Sequence, residues 1–599
     1  MYRSKILKAA AAAGLLAAAL APLPATADPA APAAAGPCGA GGVFTAAPPS
    51  CAYTAVGTDT FTVPAGVTAV TADLFGAEGG SAAGFVLPSP PNDGAPGGLG
   101  GQTRADLAVT PGQSLQITVG GVGSSGTSRH GEFARPGGRG HGSGGGAHGG
   151  GGSGGGASDL RTGAFGGADR VLVAGGGGGA GNGGPLLHGG HGGGLEAQPG
   201  GQGGGPEGSG LAGGGGTRSA HGAGGPRNNT VGAPGGAGSD IDQYGSLPNP
   251  GSGGSGGNGG GGGNGGGGGG GGYFAGGGGS GGGRPGDLYG AGGGGGSSYA
   301  APSATGITLA QGVNHGNGKA VVSFRYGASL AVAADTATPL FGHAVTLTAT
   351  TTSAGPATAA PGGTVTFFDG TTPLATVPLE AGRAQLRTGS FQPGAHAITA
   401  AYGGDASHTP AATAAPSPVT VGFSRPCITT ARVGALTVRA GEALCFASGG
   451  SQTGPVTVAP GGSLALSDAR VTGPFSADGA LAVTVCGSRL TGPVSVTGTA
   501  GPVLIGAQEA ATGCVGNTFQ GPLSLVGNTG GLQASANTVT GPVRIDGNSG
   551  SGLWAGESAP AFRSNRVTGA LRCEGNEPEP VQTGTVVTGP RTGQCRQAS

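Results

Sequence analysis

Gly541-Pro542-Val543-Arg544-Ile545 is one of a series of near-copies that fill the C-terminal part of the chain. Gly-Pro recurs at 454, 473, 492, 521 and 541, and Gly569-Ala570 and Gly589-Pro590 follow, so the steps are 19, 19, 29, 20, 28 and 20 residues. Asn517, Asn537 and Asn565 step by 20 and 28, and Asn528, Asn548 and Asn576 repeat both intervals. Three markers sharing one irregular series identify a stacked repeat. A unit this short cannot bury a face alone, yet it carries strand-like pieces, so residues 424–599 are expected to form a β-solenoid with one rung per unit. The longer steps are loop insertions. Asparagines in Gly-Asn turns tolerate the left-handed conformation and can form ladders with the rung above.

The cysteines fit the same frame. Cys427 to Cys445 is 18 residues, Cys486 to Cys514 is 28, and Cys573 to Cys595 is 22, each close to the local rung length. Residues one rung apart lie about 4.8 Å from each other, within disulfide reach. These three neighbour pairs are expected, together with Cys38–Cys51.

Residues 328–423 are poorer in Gly and richer in Thr, Ala and Val, and they carry about seven short alternating strands, the pattern of a β-sandwich. Gly363-Thr364-Val365-Thr366-Phe367-Phe368-Asp369-Gly370, Pro393-Gly394-Ala395-His396 and Tyr402-Gly403-Gly404-Asp405 resemble the bacterial Ig-like repeat domain of surface proteins. His408 stands where that pattern leads one to expect an aromatic.

Further upstream, Val70–Phe75, Leu107–Val109, Leu115–Val119, Arg170–Val173 and Lys319–Phe324 read as strands, and Pro111-Gly112 as the turn joining the second of these to the third. Between them lie tracts in which Gly dominates. Two readings compete there: flexible linker, or extended backbones packed so closely that only Gly fits. Composition alone favours the linker. Phe61–Ala77, Gly154–Gly163, Arg170–Gly179, Gly292–Tyr299 and Gly316–Phe324, however, resemble in order the glycine-rich domain of anaplastic lymphoma kinase-type receptors and its bacterial relatives. That resemblance covers residues 53–327 and implies a β-sandwich carrying packed polyglycine helices. The fold expected overall is all-β, in three modules.

Residues 1–27 read as a secretory signal: Arg3, Lys5 and Lys8, then an apolar run from Ala9 to Leu20, then Ala25-Thr26-Ala27. Residues 28–52 read as a spacer. No later stretch is long and apolar enough for a membrane span. Even numbers of cysteines in an exported chain argue for disulfides over metal or redox sites. The expected location is therefore extracellular or on the cell surface.

Composition narrows the function. Of 599 residues 149 are Gly and 9% are charged, and the 27 Lys plus Arg balance the 27 Asp plus Glu, so no basic stripe invites nucleic acid. Beyond residue 8 the only lysine is Lys319, which leaves little for Schiff-base or phosphate chemistry. His130, His141, His148, His188, His191 and His221 lack a repeated ligand spacing and read as polar interruptions, so neither metal nor cofactor is expected. One constellation could carry chemistry. Asp546 and Glu574 are one 28-residue rung apart, as are Arg544 and Arg572, and alternation puts all four on an outward face with Ile545 and Cys573 inward. Two stacked carboxylates could cleave a glycoside; the blander reading is an Arg–carboxylate ladder. Trp554, the sole tryptophan, is a candidate ligand contact in a long loop. The reading that results is a non-catalytic surface or matrix protein that adheres to cell-wall glycan or another surface protein. The alternatives are a polysaccharide-active enzyme and a purely structural coat component.

Overall fold

The computed structural model describes residues 36–83, 94–127, 136–140, 144–147, 150–202, 211–225, 255–259, 265–281, 289–355, 360–507, 513–553 and 557–596. The leader expected at 1–27 lies outside them, as do Trp554, His130, His141 and His148.

Alternation in Ala69–Phe75 buries Val70, Ala72 and Leu74 and turns Thr71 and Asp73 outward. This strand sits inside a six-stranded antiparallel sheet, in the order Val43–Ala46, Pro49–Tyr53, Lys319–Phe324, Ala69–Phe75, Gly100–Ala108, Thr305–Asn314. A five-stranded sheet faces it, in the order Gly57–Thr62, Ser114–Val119, Ser158–Arg161, Arg170–Ala174, Tyr299–Ala300. Phe61, Leu115, Ile117, Leu160 and Leu172 from the second sheet close on Val70, Leu74 and Val322 from the first. One expectation changes here. Within residues 28–52, assigned to a spacer, Val43–Ala46 is a strand and Pro49–Tyr53 begins another, held by the Cys38–Cys51 disulfide. Pro111-Gly112 joins the strands Gly100–Ala108 and Ser114–Val119, as expected, and carries the chain from one sheet to the other.

The glycine tracts leave the sandwich and bond to one another. Gly98 donates to the Gly178 carbonyl (2.8 Å), Gly177 to Ala77 (2.9 Å), Gly155 to Gly177 (2.8 Å) and Gly271 to Gly155 (2.9 Å). Each tract thus satisfies its amides on neighbouring tracts, as a buried backbone without internal bonds must. The linker reading favoured by composition fails for the described tracts, because their backbone groups are paired and buried. Histidines tie them further: His191 Nδ1 accepts from the Leu99 amide (2.9 Å) and His221 Nδ1 from Ala275 (3.1 Å). Burial, and then the charge of His188, holds His191 below its ordinary pKa, which suits a neutral acceptor.

Residues 328–421 form a second sandwich. Ala328–Ala334, Val345–Ser353 and Arg383–Thr388 make one sheet; Thr372–Pro378, Thr364–Asp369, Gly394–Tyr402, Ala411–Ala412 and Ser417–Val421 make the other. His408 replaces the expected aromatic by bonding instead of packing alone: it is buried, with Nδ1 on Asp405 Oδ1 (2.9 Å) and Nε2 on Ser353 Oγ (3.1 Å).

A second histidine gives this sandwich a pH dependence. His396 Nδ1 meets Asp369 Oδ2 at 2.6 Å and Nε2 meets the Gln392 carbonyl at 2.7 Å. Both partners accept, so the doubly protonated ring fits. Burial alone would lower the His396 pKa, but the bonds to Asp369 and Gln392 outweigh it and hold the pKa above the ordinary value. Burial would raise the Asp369 pKa, and the His396 bond and charge win there too and depress it. The stabilisation is therefore full between about pH 4 and pH 6.5. It is lost as pH rises through the raised histidine pKa, and as pH falls through the depressed aspartate pKa. The second sandwich should melt at a lower temperature at alkaline pH than at about pH 6, and His396→Gln should flatten that slope in a calorimetric pH series.

From residue 431 onward every strand pairing is parallel and one rung apart, in three stacks with the form of a β-solenoid. Two stacks have eight strands and the third has six. In the first, Gln452, Val471, Leu490, Phe519, Val539 and Val567 lie in register and point inward. In the second, Val456, Phe475, Val494, Leu523, Val543 and Leu571 do the same. These partners reproduce the irregular 19- to 29-residue series of the Gly-Pro markers. All three expected disulfides form here, Cys427–Cys445, Cys486–Cys514 and Cys573–Cys595, with Cα separations of 4.7, 5.0 and 5.1 Å.

Two asparagine columns run through the interior. Asn517 N donates to Asn537 Oδ1 (3.0 Å) and Asn537 N to Asn565 Oδ1 (2.9 Å). Asn528, Asn548 and Asn576 repeat this, and Gln594 Oε1 caps the column at 2.9 Å from Asn576 N. The left-handed residue is not the asparagine, as expected, but its predecessor: Gly527, Gly547, Gly575, Ala536 or Ser564. The third stack is buried on both faces. Ala443, Cys445, Ala465 and Ala482 meet the second sandwich through its Phe341 and Val421, and Leu504 packs under Ala507 and Cys514 of a rung insertion.

Candidate functional site

With its third face covered, the solenoid presents two faces to solvent. The second stack carries the four residues singled out from sequence. Its register places Arg544 beside Arg572, Ile545 beside Cys573, and Asp546 beside Glu574. Arg544, Arg572 and Glu574 point outward, while Ile545 and Cys573 are buried. Asp546 departs from strict alternation. Its side chain is only 8% exposed, because it folds under both guanidinium groups: Arg544 Nε lies 2.5 Å and Arg572 Nε 3.5 Å from Oδ2. Its Oδ1 accepts the Glu574 amide at 3.0 Å, and Glu574 Oε2 pairs with Arg572 Nη2 at 2.5 Å. Both Asp546 oxygens are thus engaged within the ladder. Such a network offsets the repulsion between stacked like charges. Trp554, the fifth candidate, lies outside the described residues.

The first stack carries a feature that the sequence reading passed over. One outward column runs Thr453, Thr472, Thr491 and Gln520 in strict register. Thr540 and Thr568 continue it, their amides bonded to the Phe519 and Val539 carbonyls (3.0 and 2.9 Å). The neighbouring outward column runs Ser451, Arg470, Arg489, Thr518, Thr538 and Arg566. Arg470, Arg489 and Arg566 are exposed and have no carboxylate in ion-pair distance among the described residues. The Gly-Pro corner beside the threonines adds a row of exposed proline rings at 455, 474, 493, 522 and 542. The signal was in the sequence: Thr-Gly-Pro recurs at 453–455, 472–474, 491–493, 540–542 and 588–590, one residue longer than the marker that revealed the repeat.

Elsewhere, a crevice of about 450 Å³ lies where the two sandwiches meet, lined by Thr68, Arg104, Asp106, Arg325 and Thr409 among others. Among the described residues no cluster of three His, Cys, Asp or Glu could hold a metal, and no helix is long and apolar enough to cross a membrane.

Comparison with known proteins adds one finding. No curated protein matches the chain. Residues 332–422 match the family described as Bacterial Ig-like domain (group 3), the region of the second sandwich, and together with four disulfides this fits a modular extracellular or surface protein.

Proposed function

We propose that the chain is exported and acts without catalysis, as a surface or matrix protein that adheres to the cell envelope or its polymers through rigid β modules. The observation that carries this reading is the solenoid itself. Its third face is sealed by the second sandwich and a rung insertion, and its other two stand open, with hydrogen-bonding side chains repeated at every rung. The glycine-rich module, read with the receptor-type resemblance as a sandwich bearing polyglycine helices, adds a second stiff, hydrogen-bonding surface. The bacterial Ig-like module is the spacer that sets one against the other.

The alternative is a polysaccharide-active enzyme working on the Asp546–Glu574 face. Its favouring observation is that these two carboxylates are register partners. Retaining glycoside chemistry asks one carboxyl to hold a proton and the other to attack, whereas here each carboxylate is matched to a guanidinium. Incubation with insoluble polysaccharides should release no reducing ends, from either the parent chain or Asp546→Asn/Glu574→Gln. Release that the double substitution abolishes, with folding intact, would overturn the non-catalytic reading.

A further inference from the structure

The adhesive reading leaves the partner's chemistry open; the threonine face narrows it. We infer that this face, with its proline corner, binds an extended acidic polysaccharide laid along the solenoid axis. The inference rests on the adhesive reading and adds the ligand class and the place.

Three observations converge. First, charge: Arg470 and Arg489 are register partners and Arg566 stands in the same column, all exposed, whereas Arg544, Arg572, Arg425 and Arg563 elsewhere on the solenoid are matched to carboxylates. The acid nearest in sequence, Asp468, sits over the Gly487 corner and forms no ion pair among the described residues. Unmatched guanidinium groups select a carboxylate- or sulfate-bearing partner, which they can grip in a planar, two-pronged manner. Second, hydroxyl orientation: Thr540 Oγ1 donates to the Phe519 carbonyl (3.2 Å) and Thr568 Oγ1 to Val539 (3.4 Å). Their protons are directed into the solenoid, and their lone pairs remain for donors from outside, such as sugar hydroxyls. Third, periodicity: the threonine column holds Thr on five of its six rungs, about 4.8 Å apart, and its neighbour holds Arg on three of the same six, so the matching ligand is itself a repeating chain. Proline rings beside the threonines offer the apolar C–H surface on which a pyranose face packs. An extended peptide repeats its same-face side chains about every 6.6 Å, out of step with the rungs, and a neutral glycan would leave the guanidinium groups unmatched.

The test uses the full chain in native gels cast with polygalacturonate, dextran or no polymer. Polygalacturonate should retard the protein and dextran should not, and the retardation should weaken as salt rises. Arg470→Gln/Arg489→Gln/Arg566→Gln should lower the apparent affinity roughly tenfold or more. Thr472→Val/Thr491→Val/Thr540→Val, which keeps shape and removes hydroxyls, should lower it by about threefold. Because substitutions can disturb folding, the parent chain provides an independent readout: polygalacturonate should slow phenylglyoxal modification of Arg470, Arg489 and Arg566 severalfold, and dextran should not. No retardation, unprotected arginines, or equal retardation by dextran would overturn the inference. Duplex DNA competing as well as polygalacturonate would reduce it to charge alone and overturn the sugar assignment. A chain that sediments with cell walls yet ignores polygalacturonate refutes this inference and leaves the adhesive reading standing; a chain that does neither refutes both.

Discussion

Gly177→Ala is expected to disrupt the glycine-rich module, while Gly184→Ala leaves it intact. Gly177 has an ordinary backbone conformation, so the argument is purely one of space. A β-carbon there would fall inside the envelope of the Gly98 carbonyl oxygen, which is backbone and cannot swing away. Gly177 also donates to Ala77 and accepts from Gly155 (2.9 and 2.8 Å), so one intruding methyl pushes apart three tracts at once. Overpacking of a close-packed interior costs about 3 kcal/mol at the upper end of the usual range, and a rigid backbone neighbour puts this site there or beyond. At Gly184 nothing lies within 4 Å of the added carbon and φ is 171°, ordinary extended backbone. That substitution should be neutral or stabilise by up to about 1 kcal/mol through the unfolded chain. Hydrogen exchange across residues 76–80 and 152–157 provides the readout: fast exchange in the first variant, parent-like protection in the second. Equal protection in both would mean that the tracts are not packed as described.

The second large effect lies in the solenoid. Asn548 is fully buried, and its Oδ1 accepts from Asn528 N (3.0 Å) and Asn528 Nδ2 (2.9 Å). Its own Nδ2 donates to the Leu525 carbonyl and Asn576 Oδ1, both at 2.9 Å. Asn548→Ala therefore orphans buried groups on two rungs simultaneously. Each orphan costs about 1–3 kcal/mol, so a loss of roughly 3–5 kcal/mol is expected in denaturant melts of the solenoid transition. Thr540→Ala, on the outward column of the same rung, should cost less than about 1 kcal/mol. Similar losses at both positions would argue against the interior ladder.

How much of this was legible in the sequence depends on whether a physical constraint recurred. The solenoid was legible because Gly-Pro corners and asparagines obey one register, and the register alone placed Cys427 against Cys445, Cys486 against Cys514 and Cys573 against Cys595. The Val70–Phe75 strand was legible because a half-buried strand alternates. The glycine tracts were not: composition cannot distinguish a free Gly chain from one whose amides are paired, since the pairing partners are other glycines far away in sequence. Pro111-Gly112 was legible as the link between two strands, but a turn signal does not say whether those strands share a sheet. At the candidate site, alternation placed Arg544, Arg572 and Glu574 outward. It missed the burial of Asp546, which depends on two arginines reaching over it from different rungs. The threonine column was visible but unread. Its threonines were one residue upstream of the marker, and their common face becomes evident only when the rungs are stacked.

The central claim is adhesion without catalysis, and the most direct measurement is co-sedimentation of the purified chain with cell walls and insoluble polysaccharides, with the supernatant assayed for released sugar ends. The account predicts that the protein pellets with the wall fraction and that no sugar is released. A protein left in the supernatant, or a rise in sugar ends above the protein-free control, would contradict it.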